Sequence, residues 1–77
     1  MAVDPIAKIA TQIREIRRSR RWSQEELADR CGLHRTYVGA IERGERNITV
    51  LTLYKVSSAL GCDVADLLGL STRKDAN

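Results

Sequence analysis

Cysteine and histidine are scarce: 77 residues hold two of the first, Cys31 and Cys62, and one of the second, His34. A metal site needs several such ligands at recognisable spacing, so no metal and no cofactor are expected. Both thiols read as small buried or turn-adjacent side chains, and nothing in the sequence supports redox sensing. No apolar run approaches the ~20 residues of a membrane span. The first ten residues, MAVDPIAKIA, lack a basic segment followed by a long apolar run, so nothing reads as a signal peptide and a reduced, cytoplasmic setting is expected. Strand-like alternation, internal repeats, linkers and low-complexity segments are missing too. So is any nucleophile, base and oxyanion group at recognisable spacing, which argues against an enzyme.

What is present is ordinary globular composition, with 43% hydrophobic and 30% charged residues, a net charge of +3 and a pI near 9.2. One domain over 1–77 is expected, with a core over about 4–70 and a frayed polar tail, STRKDAN, over 71–77. A chain this short buries a modest fraction of its surface, so a partner or a second copy is expected. The basic excess is uneven: residues 1–48 carry ten Lys or Arg against seven Asp or Glu, whereas residues 49–77 carry three of each. Arg17, Arg18, Arg20 and Arg21 crowd the end of the first expected helix. Charge alone leaves open whether they form a solvated helix end or a nucleic-acid footprint.

Apolar spacing and capping residues predict five helices and an all-α fold. Asp4 caps the first, with Pro5 at its opening position and Ile6, Ile9, Ile13 and Ile16 on one stripe that ends near Arg20. Ser23 and Glu26 form the capping-box pattern that opens the second, which carries Leu27 and Ala28 inward and stops at Gly32. The third follows after Gly32-Leu33-His34, with Val38 and Ile41 inward and a stop at Gly44. Thr49 caps the fourth, with Leu53, Val56 and Leu60 inward and Gly61 closing it. Asp63 caps a fifth, running through Val64, Leu67 and Leu68 to Gly69.

The second and third helices, QEELADRCGLHRTYVGAIER, meet across a glycine turn in the helix-turn-helix pattern. Leu27, Leu33, Val38 and Ile41 wedge them onto the core, Ala28 allows close approach and Gly32 makes the bend. Burying Val38 and Ile41 turns the start of the third helix outward, and that end of such a helix meets base edges in the major groove. Arg35 can donate two parallel hydrogen bonds to guanine, and Thr36 offers a hydroxyl to a base and a methyl to thymine. Gln24, at the start of the second helix, is placed for a phosphate. Tyr37 is long enough to reach a phosphate or sugar, and a packing role is the alternative. Arg43, Arg46 and Asn47 follow in or beside the next loop as backbone clamps, with surface solvation as the alternative. For Gly39, close backbone approach to DNA and close helix packing stand as equal readings. Trp22 is expected to cover the core where the first helix turns into the second.

The run RTYVGAIERGERNITVLTL, preceded by WSQEELADRCGLH, resembles the lambda-repressor-like, Xre-type helix-turn-helix family, and within it the controller proteins of restriction–modification systems. The resemblance spans about residues 7–68. It implies a five-helix domain and a small dimer that binds operator repeats upstream of its own gene and the endonuclease gene, activating at low occupancy and repressing at high. It also implies an internal ion pair between Arg17 and Glu42, and DNA contacts at Gln24, Arg35, Thr36, Tyr37, Arg46 and Asn47. The sequence departs from the family at His34, where relatives often carry an acidic or hydroxyl cap, and at Gly44-Glu45.

The fourth helix is more apolar than one core face requires. Val50, Leu51 and Tyr54 lie around a second side, and with Leu67, Leu68 and Leu70 they predict a two-fold homodimer interface; a larger monomer core is the alternative. Glu25, Glu26 and Asp29 on the second helix would be the surface for RNA polymerase if the protein activates. A phage-type repressor or toxin–antitoxin autoregulator of the same fold, and a helical protein-interaction module without DNA, are the rival readings.

Overall fold

The computed structural model describes residues 4–70, so the expected fraying of 71–77 lies outside the described residues. Five helices follow one another: α1 (Pro5–Ser19), α2 (Gln24–Cys31), α3 (Arg35–Glu42), α4 (Val50–Leu60) and α5 (Val64–Leu67). No strand occurs among the described residues. The all-α, five-helix expectation therefore matches the fold, with boundaries close to the sequence signals.

Side-chain caps explain where the helices start. Asp4 accepts from the Ile6 N–H at 3.0 Å, Ser23 from the Glu26 N–H at 3.0 Å, and Thr49 from the Thr52 N–H at 3.1 Å. Each satisfies a first-turn donor that has no partner within its helix. The returning half of the α2 capping box goes elsewhere, because the Glu26 carboxylate takes the Arg30 guanidinium one turn on, at 2.9 Å. In α5 the reciprocal bond does form, with the Asp63 N–H donating to Asp66 Oδ2 at 2.9 Å. Gly32 ends α2 at φ 73°, a left-handed conformation that costs glycine nothing.

Arg21 adopts φ 63° without being glycine, at a cost of about 1–2 kcal/mol. Two bonds brace that turn: the Trp22 N–H donates to the Arg17 carbonyl at 3.2 Å, and Arg17 Nη1 donates to the Trp22 carbonyl at 2.7 Å. Trp22 itself packs half-buried against the core, with the Arg30 guanidinium 4.2 Å from its ring centroid. Arg20 Nε reaches the Leu60 carbonyl at 2.8 Å and so ties the end of α1 to the end of α4.

Ile9 and Ile13 from α1, Leu27 from α2, Val38 and Ile41 from α3, Leu53, Val56 and Leu60 from α4, and Leu67 from α5 form one core. On α1 the inward stripe runs Ile9, Ile13, Arg17 at four-residue steps, while Ile6 and Ile16 are only half-buried. Leu67 is 0% exposed. It cannot reach a second copy, which corrects its assignment to a dimer interface: α5 is a single turn, and its one inward position faces this chain's own core. Leu68 is half-buried against the same core. Among the described residues no helix is long and apolar enough to cross a membrane.

Candidate nucleic-acid interface

The site is built on α3, and α3 is fixed from behind. Glu42, at its last position and 2% exposed, accepts from Arg17 Nε at 2.7 Å and Arg17 Nη2 at 2.9 Å, in the two-pronged geometry that suits guanidinium and carboxylate. Gln24 Nε2 adds a third bond to the same carboxylate at 3.0 Å. Arg14 Nη1 donates to the Glu42 carbonyl at 2.9 Å, filling an acceptor that the helix end leaves open. Hydrogen bonding to Glu42 holds the Arg17 guanidinium above its ordinary pKa. Among the described residues no buried side-chain nitrogen or oxygen lacks a partner. A buried charge pair is tolerable only on those terms.

The front of α3 is open. Arg35 and Thr36 are exposed on its first turn, and Tyr37 is half-buried against the core. His34 caps this turn: its Nδ1 accepts from the Thr36 N–H at 3.1 Å, so an imidazole fills the role that an acid or hydroxyl commonly has at a helix start. Arg43, Arg46 and Asn47 are all exposed in the loop that follows. The two arginines are engaged differently. Arg43 donates from Nε and Nη2 to both Glu45 oxygens, at 2.9 and 3.2 Å, and this bond holds Glu45 below the usual carboxylate range. Arg46 instead lies with its guanidinium 5.5 Å from the Tyr37 ring centroid.

The structure sharpens two sequence assignments. Gln24 is half-buried, and its amide Nε2 donates to Glu42, which ties the start of α2 to the end of α3. Gly39 is buried, and a Cβ there would stand 3.2 Å from Arg43 Nη1 and 3.3 Å from Gln24 Oε1. Packing at Gly39 is close: the bare Cα leaves room for the Gln24 amide beside it. Arg14 and Arg20 were missed by sequence reasoning. Their signal is faint: Arg14 stands between Ile13 and Glu15, and Arg20, exposed like Arg18 and Arg21, differs from them only in the partner its side chain reaches.

A short helix whose polar first turn faces solvent, held across a glycine bend by a second helix and anchored from behind by a third, defines a helix-turn-helix DNA-binding domain. The comparisons with known proteins agree. A helix-turn-helix family model matches residues 13–71, and the chain belongs to that family of transcription regulators, in its lambda-repressor-like, Xre-type branch. It is 48% identical over 62 residues to the control protein C.BamHI of Bacillus amyloliquefaciens, covering 79% of this chain and 76% of that one. The restriction–modification controller protein C.AhdI from Aeromonas hydrophila superposes with a TM-score of 0.78 at 39% identity, over 80% of this chain and 94% of that chain. A further controller, C.Esp1396I, solved as a tetramer with its natural 35 base-pair operator, matches with a TM-score of 0.79 at 29% identity, over 90% and 91% of the two chains.

Proposed function

We propose that this chain is a controller-type regulator that binds double-stranded DNA as a homodimer, acts in the cytoplasm at the nucleoid and performs no catalysis. It binds operator repeats upstream of its own gene and a linked endonuclease gene, activating first and repressing at higher occupancy. Arg35 and Thr36 read base edges. Arg43, Arg46 and Asn47 hold the sugar-phosphate backbone, with the Tyr37 ring beside Arg46, and Gln24 with the N–H groups at the start of α2 adds a phosphate contact. The observation that carries the reading is the exposure of Arg35 and Thr36 on a helix whose opposite end is pinned by Glu42. A reading head must be both accessible and fixed. The similarity to named control proteins supports the biological role.

Pairing of two copies is supported by a second apolar surface. Val50, Leu51 and Tyr54 on α4, and Leu70 beyond α5, are 61–69% exposed, and the three on one helix make an apolar patch of the kind that marks an interaction surface. Together with Leu68 they form the interface in this reading, and two-fold pairing sets two recognition helices about 34 Å apart, one turn of DNA. The exposed acids Glu25 and Asp29 on α2 are the surface offered to RNA polymerase, whereas Glu26 is taken by Arg30.

Footprinting on the DNA upstream of the gene tests this. A protected two-fold repeat, lost in Arg35→Ala, is expected. Failure to shift any duplex at low salt would leave only a protein-docking role. A neighbouring toxin gene in place of a nuclease and methyltransferase would end the controller assignment while leaving DNA recognition standing.

A further inference from the structure

The loop after α3 carries two arginines of the same chemistry in opposite states. Arg43 has spent Nε and Nη2 on Glu45. Arg46 has no carboxylate partner among the described residues, and its guanidinium carbon sits 5.5 Å from the Tyr37 centroid, inside the roughly 6 Å range of a cation–π contact. A cation held over a ring spends none of its five N–H donors on a carboxylate. A phosphate takes those edge donors in parallel pairs. Arg46 is therefore oriented without being occupied, and Arg43 is oriented and occupied.

Tyr37 is suited to the part of platform. It belongs to α3, two residues beyond Arg35, and its ring is half-buried against the core, so it has little freedom of its own. Arg46 belongs to an irregular loop, where a long side chain loses substantial rotamer entropy when a ligand orders it. A ring fixed to the reading helix removes part of that loss in advance and ties the clamp to the register of the base-reading residues.

We propose that Tyr37 is a positioning residue for Arg46: its ring face, and not its hydroxyl, holds the Arg46 guanidinium ready for the DNA backbone. This rests on the DNA-binding reading above and deepens it. Because the contact is exposed, its loss weakens each half-site about two- to five-fold. Two copies on a two-fold operator compound this to about five- to thirty-fold.

The test is a cycle of Tyr37→Phe, Tyr37→Leu, Arg46→Ala and the Leu/Ala double variant, titrated on a duplex carrying the footprinted site and on an unrelated duplex of equal length. Measurements are made well below the melting temperature of the weakest variant, and any packing loss at Tyr37 is common to both legs of the cycle. The expected result is that Tyr37→Leu loses affinity, that Tyr37→Phe restores most of it, and that Tyr37→Leu adds little once Arg46 is alanine. In the free protein, proton resonances of the Arg46 side chain should be displaced upfield by the ring, keep that displacement in Tyr37→Phe and lose it in Tyr37→Leu. Equal losses for Phe and Leu would assign the effect to the hydroxyl and overturn the proposal, as would independent, additive losses or the absence of a ring-shifted Arg46. If Arg46→Ala binds both duplexes as tightly as the parent, the backbone-clamp role of Arg46 fails as well, while base reading by Arg35 remains testable on its own.

Discussion

Behind α3 lies a charged pair where an apolar core is the rule, and along α4 lie apolar side chains where a polar surface is the rule. Arg17 and Glu42 are 8% and 2% exposed, whereas Val50 and Leu51 are 69% and 66% exposed. The first inversion is resolved within the chain, since Glu42 receives Arg17 and Gln24 while Arg14 fills its carbonyl. The second is resolved by nothing among the described residues. A satisfied inversion fixes a part of the fold, and an unsatisfied one calls for another molecule.

Breaking the charged side should cost the most. Glu42→Ala leaves Arg17 buried without its counter-charge and should lower unfolding free energy by about 3–5 kcal/mol, against about 4–12 kcal/mol for a whole domain of this size. Urea denaturation measures it, and a loss near zero would mean that water reaches Arg17 freely. Breaking the apolar side should leave the fold alone. Leu51→Asp should keep its helical circular dichroism yet sediment as a monomer where the parent sediments as a dimer, and lose about 2 kcal/mol or more of operator binding. A monomeric parent at high micromolar concentration would remove the paired-copy reading.

Smaller effects sharpen the contrast on the front face. Arg35→Ala should cost about 1–3 kcal/mol of operator affinity and blur preference at one base pair, with little change in melting temperature. Cys31 supplies a pH test of the core: burial pushes its thiol from 9.0 up to about 11. A thiol held neutral by the fold stabilises fully below pH 9, and that contribution fades as pH rises toward 11, because the unfolded chain ionises first. Denaturation series across that window should show the decline, and Cys31→Ala should flatten it. The smallest change belongs to Glu45→Gln. Releasing Arg43 should tighten DNA binding about two-fold and steepen the salt dependence, since one competing carboxylate is gone.

Helix number, helix ends and the exposed first turn of α3 were legible from spacing and caps. Buried apolar residues repeat with the helix, and Asp4, Ser23, Thr49, Gly32 and Gly61 act on their own neighbours. Partner choice was less legible. Glu26 had its own helix start and Arg30 within equal reach, and local spacing cannot rank two such bonds. Gln24 could turn its amide outward or inward, and the deciding atoms belong to Glu42, eighteen residues away. Leu67 and Leu68 fall in a single turn, too short for periodicity to say which side faces home. The Arg17–Glu42 pair came from family resemblance, because nothing in periodicity distinguishes a buried arginine from its exposed neighbour Arg18.

α1 grips α3 through Arg14 and Arg17, and grips the last turn of α4 through Arg20. One rod thus braces both α3 and the helix that carries the exposed apolar side chains. Two such molecules joined along α4 would behave as a caliper with a locked jaw opening. Where half-sites lie slightly too near or too far, the duplex has to twist or bend to meet the jaws, so base steps that no side chain touches would still weigh in the choice of operator.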